Sequence, residues 1–411
     1  MSAHPSPPRA HGGQALLAAL VLLLVLGAGA LLGAGELRTR ATMLTHARSV
    51  IALAQARAAL IGYAVSYDES HPGEGYGFLP CPDSGNTGST PIGACGARGQ
   101  GAIGRLPWRT LGLPDLRDGW GECLWYAVAG SVKHNPKALM LNWDSPGQFV
   151  VHGADGHRIA AAGPDGRAVA IVFAPGPALA GQVRAPASGR TCPGGDSAVA
   201  DLAHYLDGDY PATVDGTLDV FSGGNLPGAD LIAWIGIDDI FDALRRRADH
   251  AARIDALISD IASALDARLA EPDFTHRHFD MEVGALRSGV LPNAADLGLP
   301  AAERARIDHW RDQIRVAICT DSDACIEITS SDTATTRHCR AALLFAGERI
   351  RHGAGRQLRA TAAQRADPAQ YFEGTNALHL KAGVPRFEGA ERFAAHERGQ
   401  PAVQDIVRCL S

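Results

Sequence analysis

Eight cysteines carry the clearest chemistry in this 411-residue chain. None lies among the first 80 residues, and the set comprises Cys81, Cys95, Cys123, Cys192, Cys319, Cys325, Cys339 and Cys409. An even number favours disulfides in an oxidising compartment, and reduced, buried thiols are the alternative. A zinc site is disfavoured because no Cys-x-x-Cys occurs and His338 with Cys339 has no partner at zinc-finger spacing. We therefore expect disulfides.

Oxygen ligands for a metal are the second candidate chemistry. Asp83, Asn86 and nearby glycines resemble a calcium loop, but the same side chains commonly form Asx-turns. Only one carboxylate lies in residues 83–91, which favours the turn. Residues 321–323 (DSD), with Glu327 beyond, form another acidic cluster without a glycine at the bend, and we expect a solvated turn there. No metal or cofactor is expected.

Known catalytic motifs are missing from the sequence. It contains no Gly-x-Ser-x-Gly, no His-Glu-x-x-His and no phosphate-binding Gly-x-x-x-x-Gly-Lys. The sixteen histidines are dispersed, and His276 and His278 form the one tight pair. A group of aromatic residues could bind a glycan or a partner, although a place in the core is favoured; it comprises Trp108, Trp120, Trp125 and Tyr126. We expect no enzymatic activity.

The elements that must position these residues begin with an apolar N-terminal run. Residues 15–35 are uncharged and at about 1.5 Å per residue span about 30 Å, the thickness of a bilayer's hydrocarbon core. The run is too long for the core helix of a soluble protein, whereas a cleaved secretory signal is a real alternative. Residues 36–61 contain neither Gly nor Pro and place Leu37, Leu44 and Ile51 at helical spacing. One long helix, partly in the membrane, is predicted.

Charge and cysteine placement disagree about the orientation of this helix. Arg9 alone precedes the apolar run, while Arg38, Arg40 and Arg48 follow it, so the positive-inside rule alone would put the body in the cytoplasm. The cysteines argue for an oxidising compartment instead. Taken with the helix architecture, they favour a body outside the cytoplasm.

The charge balance bears on partners. The net charge is −6 and the sequence pI is about 6.2, which gives no general attraction to nucleic acid. The single basic cluster, residues 245–247 (RRR), lies on a predicted helix among aspartates. We interpret it as a solvated helix face and expect no nucleic-acid partner.

The remainder of the chain divides into a β-rich part and a helix-rich part. Residues 68–122 are rich in Gly, Pro, Asp and Ser and predict a long ordered loop, in which Cys81 and Cys95 bracket the most glycine-rich stretch and are the expected disulfide. Short β-type runs follow, separated by turn signals, and predict a small antiparallel sheet; they cover 124–128, 148–152 and 168–173. Helices are predicted at 238–270, 301–318 and 355–364.

Three segments carry a resemblance to a known family. They are residues 77–83 (GFLPCPD), 104–113 (GRLPWRTLGL) and 118–126 (DGWGECLWY). With the helix before them, these segments resemble bacterial type IV pilin-like and type II secretion pseudopilin-like proteins, over residues 14–175 well and more weakly beyond. The resemblance implies a filament subunit anchored in the bacterial inner membrane, with its body in the periplasm.

The candidate processing site departs from the family pattern. Family members are cleaved after a Gly and carry Glu as the fifth residue of the mature chain, whereas cleavage after Gly13 would leave Gln14 first and Ala18 fifth. Certain minor pseudopilins at the filament tip also lack this Glu and carry an added helical domain. The resemblance therefore implies a minor subunit here.

These observations predict an α+β fold with a long N-terminal transmembrane helix, a pilin-like antiparallel sheet domain and a helical C-terminal domain. The expected divisions are a short cytoplasmic leader (1–13), the transmembrane and amphipathic helix (14–67), a pilin-like domain (68–235) and a mainly helical domain (236–411). The expected function is that of a minor pilin or pseudopilin, whose partners are inner-membrane lipid and other pilin or pseudopilin subunits. The alternative is a membrane-tethered periplasmic binding or hydrolytic protein.

Overall fold

A computed structural model describes residues 12–159, 166–184, 192–223, 230–320, 324–350, 356–393 and 405–410. The fold is mixed α+β, with one long apolar helix and three β-sheets in this described part of the chain. The acidic residues 321–323 singled out in the sequence lie outside the described residues.

The N-terminal helix, α1, spans Gly12–Ser70. Its 59 residues include no proline and many alanines and leucines, the strongest helix formers. The helix is therefore about 90 Å long at about 1.5 Å per residue. It ends before His71, because the residue that precedes a proline, here Pro72, disfavours helical backbone angles.

The first sheet receives the second half of α1 on one face. Its strands are β1 (Gly99–Arg105), β2 (Trp125–Gly130), β3 (Phe149–His152), β4 (Ala168–Ala174), β5 (Thr213–Val214), β6 (Leu218–Phe221) and β7 (Leu231–Gly236). An antiparallel path runs β5-β1-β2-β4-β7. β3 joins the end of β4 at a single register pair and runs parallel to β6. Every residue of β2 and β4 is buried, as expected of central strands covered on both faces.

The remainder of the chain combines helices with two further sheets. Its helices are α2 (Ala198–Tyr205), α3 (Ile237–Arg245), α4 (His250–Leu269), α5 (Pro272–His278), α6 (Ala301–Asp308), α7 (Ala362–Ala366) and α8 (Asn376–Ala382). One sheet has the order β15-β13-β10-β9-β8, and the other the order β12-β11-β14. Their strands are β8 (Met281–Val283), β9 (Leu286–Val290), β10 (Ile314–Cys319), β11 (Ile326–Ser330), β12 (Thr336–Cys339), β13 (Ala341–Phe345), β14 (Arg386–Gly389) and β15 (Ile406–Leu410).

The expectation of a mainly helical region at 236–411 needs correction, because this region is a mixture of helices and strands. The helix predicted at 301–318 ends at Asp308, and residues 314–319 form β10 instead. Residues 314–318 are buried on both faces, and a short, continuously apolar run does not distinguish a buried strand from a buried helix. The helix predicted at 238–270 divides into α3 and α4, and α7 begins only at Ala362.

The two regions share one core. The expected boundary at residue 236 coincides with the junction of β7 and α3, but Trp143 from the first region packs edge-on against Trp310 and Phe345 from the second. Next to it, the buried Asp144 pairs with Arg359 at 2.8 Å. The segment around Trp143 therefore joins the sheet region to the C-terminal region.

Candidate functional site: the protruding N-terminal helix

The second half of α1 is part of the core. Six side chains at helical spacing are at most 5% exposed: Ala52, Leu53, Ala56, Leu60, Ala64 and Tyr67. They form the face that packs against β4, β7 and α3. Beside this face, Arg57 donates to the Trp234 carbonyl at 2.9 Å and pairs with Asp239 at 2.7 Å. The second half of the helix is thereby fixed to the body.

The motif at residues 118–121 marks where α1 leaves the body. A Cβ on Gly119 would collide with the Thr45 carbonyl, and the Gly119 amide donates to Ser49 Oγ at 2.9 Å. Asp118 holds the turn in place, since its Oδ1 accepts from the Trp120 amide at 2.9 Å and its Oδ2 accepts from the Gly176 amide at 2.8 Å. The glycine of this motif is required for the close approach of the loop to the helix.

The first half of α1 exposes apolar side chains instead. Those at Leu16, Leu17, Leu20, Val21, Leu22, Leu23, Leu24, Val25 and Leu26 are each at least half exposed, and Leu37, Met43, Leu44, Val50 and Ile51 are also exposed. We call this part, residues 12–51, the protruding half of α1, although its last turns contact the 118–121 loop through Thr45 and Ser49. The sequence-predicted processing residues Gly13 and Gln14 lie in its first turn.

Within the described residues, α1 is long and apolar enough to cross a membrane. Two stretches of it are apolar, Leu16–Leu26 and Thr39–Ser70, and a third of the most apolar window of the latter is buried inside the protein. Because Thr39–Ser70 contributes its buried face to the core, length alone does not make it the membrane segment. Residues 15–35 carry no charge in the sequence and match the length of a bilayer's hydrocarbon core.

The cysteines form four disulfides. Cys81 is bonded to Cys95, the pair that the sequence analysis expects, with the Cα atoms 5.9 Å apart. The other pairs are Cys123–Cys192, Cys319–Cys325 and Cys339–Cys409. No cysteine is left as a free thiol. Disulfides persist in oxidising compartments, so the four pairs suggest such a compartment for the body.

The candidate calcium loop is a set of Asx-type turns. Asp83 Oδ1 accepts from the Gly85 amide at 3.0 Å, and its Oδ2 accepts from the Gly88 amide at 2.6 Å. The Asn86 side chain bonds both the amide and the carbonyl of Cys192, at 3.1 and 3.0 Å. The side-chain oxygens of Asp83 and Asn86 thus accept hydrogen bonds that hold the loop together.

The aromatic group is divided between core and surface. Trp125 and Tyr126 are fully buried, Trp108 is partly buried, and Trp120 is 39% exposed. The Arg105 guanidinium lies 5.0 Å from the Trp125 ring centre and pairs with Asp201. The core interpretation therefore holds for Trp125 and Tyr126, which lie on β2, with Trp125 packed against Tyr205 of α2.

A cavity of about 410 Å³ is the feature that sequence reasoning missed. It lies between the end of α1, α3, α4 and α6. Its apolar wall includes Leu257 and Trp310, and its polar wall includes Tyr76, His250 and Arg253. Burial raises the pKa of Tyr76, and burial together with the Arg245 guanidinium lowers the pKa of His250 to about 4. The contributing residues run from Asp68 to Trp310, so no local motif could indicate the cavity.

Comparison with known proteins adds no assignment. No family model matches the chain, and neither a curated protein nor a solved structure matches it. The functional argument therefore rests on the residues themselves and on the uncovered apolar surface of α1.

Proposed function

We propose that this protein is a minor pilin or pseudopilin, which assembles through α1 into a type IV pilus or a type II secretion pseudopilus. One observation carries the proposal: apolar side chains continue along the exposed side of α1 beyond the length that a bilayer covers. Residues 15–35 suffice to span about 30 Å. Leu37, Leu44 and Ile51 follow this segment and are 58–69% exposed.

The geometry of the helix places these three residues away from the body. They are spaced by seven residues, so at about 100° per residue they form one narrow stripe. The buried positions Leu53, Ala56 and Leu60 lie on nearly the opposite side of the helix. Exposed apolar side chains outside the bilayer favour contact with another protein surface. Side-by-side packing of subunit helices in a filament would supply that contact.

The location follows from the same proposal. We place the chain in the bacterial inner membrane as a single-pass protein with its body in the periplasm. The four disulfides support an oxidising compartment for the body, and residues 15–35 supply the span. Partners are inner-membrane lipid and neighbouring pilin or pseudopilin subunits. The absence of Glu at the fifth position after Gly13 supports a minor subunit at the filament tip, which has no subunit above it.

Substitution of Leu44 tests the filament role. In the native cell, Leu44→Asp should reach the membrane and fold, but its co-purification with filament proteins should fall by at least about tenfold, the equivalent of about 1.4 kcal/mol. The reason is that an acidic group in a helix–helix contact must be desolvated without a partner. Val199→Asp is the matched control, since Val199 is equally exposed, at 61%, but lies on α2. Unchanged co-purification of Leu44→Asp would contradict the filament role and leave α1 as a membrane tether only.

A membrane-tethered periplasmic binding protein is the second candidate function. The cavity of about 410 Å³ favours it, because small-molecule sites are commonly concave, largely apolar and lined by a few polar groups. A tether needs no apolar side chains after residue 35, so this hypothesis leaves the stripe of Leu37, Leu44 and Ile51 unexplained. The sequence offers no recognised catalytic motif, and we propose a structural role rather than an enzymatic one.

A further inference from the structure

Two carboxylates meet where the C-terminal strand begins. Glu373 lies in the turn before α8, and Asp405 directly precedes β15. Both line a cavity of about 220 Å³ near the chain's C-terminal sheets, together with Gly374, Thr375, Asn376, Glu388 and Gly389. Among the residues that the structure describes, no positively charged side chain contributes to the lining of this cavity.

Asp405 is held firmly by one of its two oxygens. Its Oδ2 accepts from the Asn376 side-chain amide at 2.7 Å and from the Glu373 backbone amide at 3.1 Å. Asn376 is itself fixed to β14, because it donates to the Glu388 carbonyl at 2.6 Å and accepts from the Glu388 amide at 3.0 Å. The Asp405 carboxylate is therefore oriented before any ligand arrives.

The other oxygen of Asp405 has no hydrogen-bond partner. Asp405 is only 2% exposed, and its Oδ1 is buried without a partner in the described part of the chain, as is Glu373 Oε1. A buried carboxylate oxygen without a partner is costly. The guanidinium of Arg359 is near the pair, but it donates elsewhere, to Asp144 among others. Arg359 therefore acts on both carboxyl groups through its charge, but it bonds to neither Glu373 Oε1 nor Asp405 Oδ1.

We propose that Glu373 Oε1 and Asp405 Oδ1 bind a calcium ion in this cavity. Calcium is a hard cation that takes six to eight oxygen ligands in irregular geometry, some of them waters. Two carboxylates match its charge, and the cavity has room for the ion with bound water. Magnesium demands a stricter octahedron, and zinc prefers nitrogen and sulfur ligands, which this cavity does not offer. Bound calcium would tie the start of β15 to the turn before α8.

The test uses the full-length protein in detergent, stripped of divalent ions with a chelator and then titrated with CaCl₂. We expect saturable binding heat with a Kd of about 0.1–1 mM, the range of extracellular calcium modules, and a rise in Tm at saturating calcium. MgCl₂ should bind at least tenfold more weakly. Asp405→Asn and Glu373→Gln should each weaken calcium binding by at least tenfold, because each removes one negative ligand at nearly constant size.

Glu391→Gln is the matched control, because Glu391 lies just after β14 and pairs with Arg337 outside this cavity. It should bind calcium as the unmodified protein does. No binding heat and no Tm change at 10 mM CaCl₂ would overturn the proposal, and so would unchanged calcium affinity in the two cavity variants. If Asp405→Asn fails to fold, the half-buried Glu373→Gln decides the site. A gain in stability of Asp405→Asn over the unmodified protein, without calcium binding in either, would show that the pair shares a proton instead.

Discussion

The two halves of α1 have similar apolar content but opposite environments. From Ala52 to Tyr67, the helix buries its apolar face against the sheet and α3. Within residues 16–26, and at Leu37, Leu44 and Ile51, apolar side chains of the same kinds are exposed. Leu60 is fully buried and Leu44 is 61% exposed, although both are leucines on one continuous helix.

This contrast separates what the fold needs from what the function needs. An apolar face that is covered within the chain stabilises the chain by about 25 cal/mol per Å² of buried apolar surface. An apolar face that is not covered contributes nothing to folding and favours association with something else. We therefore propose that the protruding half of α1 has its partners outside the chain, in lipid for residues 15–35 and in other subunits for Leu37, Leu44 and Ile51.

A matched pair of leucine truncations gives the largest expected difference between the halves. Leu60→Ala should lower the free energy of unfolding by about 2–5 kcal/mol, because it leaves a cavity in a packed core. Leu44→Ala should change it by less than about 0.5 kcal/mol, as is usual for exposed positions. Chemical denaturation of both proteins in detergent measures the difference. Equal effects would mean that the protruding half also packs against the body.

A second matched pair of substitutions distinguishes the proposed membrane span from the part of the protruding half beyond it. Leu24→Arg should cost about 2.5–3.5 kcal/mol of membrane insertion, because the charge would lie in the hydrocarbon core. Leu44→Arg should cost no insertion energy, because residue 44 lies beyond the proposed span. Membrane fractionation measures the inserted fraction of each variant. A severe insertion defect in Leu44→Arg would show that the membrane segment lies closer to the body than residues 15–35.

The sequence was informative where the interactions are local. The length and hydropathy of residues 15–35 predict a helix without knowledge of the remainder, and Cys81 and Cys95 are separated by only 14 residues in one loop. Cys123 pairs with Cys192 at a separation of 69 residues. That pairing could not be deduced, because it depends on how the sheet brings distant segments together.

The predictions that were wrong or missing have the same cause, which is that they depend on contacts between distant segments. Residues 314–318 became a strand because β9 and β13 lie on either side of β10 and supply its hydrogen bonds, which no local pattern reveals. The larger cavity and the Glu373–Asp405 pair also unite residues from distant segments. The mixed α+β class and the long apolar helix could be predicted from composition and periodicity, the pilin-like details stay a prediction, and these sites required the tertiary structure.

The disulfide at the loop tests whether the body and the protruding half are energetically separate. Replacing Cys81 and Cys95 together with Ser should lower the unfolding free energy of the body by about 3 kcal/mol, because the unfolded chain regains the entropy of a loop of about 15 residues. The same exchange at Cys319 and Cys325, which close a shorter loop, should cost about 2 kcal/mol. Denaturation under non-reducing conditions measures both. Membrane insertion should not change in either variant, and a loss of insertion would show that the two halves of α1 are coupled.

Lowering the pH should destabilise the body without changing membrane insertion. His250 should account for part of the lost stability. Burial, with help from Arg245, lowers the pKa of His250 to about 4 in the folded protein, against about 6.5 in the unfolded chain. Between these values the unfolded state binds the extra proton, so stability falls as the pH falls. The contribution of His250 should drop by about 2 kcal/mol from pH 7 to pH 5.

The difference between the unmodified protein and His250→Gln isolates this contribution from that of the buried carboxyl groups. The unfolding free energy of both proteins would be measured in detergent at several pH values. We expect the stability difference between them to shrink or reverse by about 2 kcal/mol between pH 7 and pH 5, because glutamine does not titrate. Membrane insertion should be independent of pH over this range, since residues 15–35 carry no ionisable group. Parallel pH profiles for the two proteins would show that His250 titrates normally in the folded state, and would remove it as the acid-sensitive group beneath the buried half of α1.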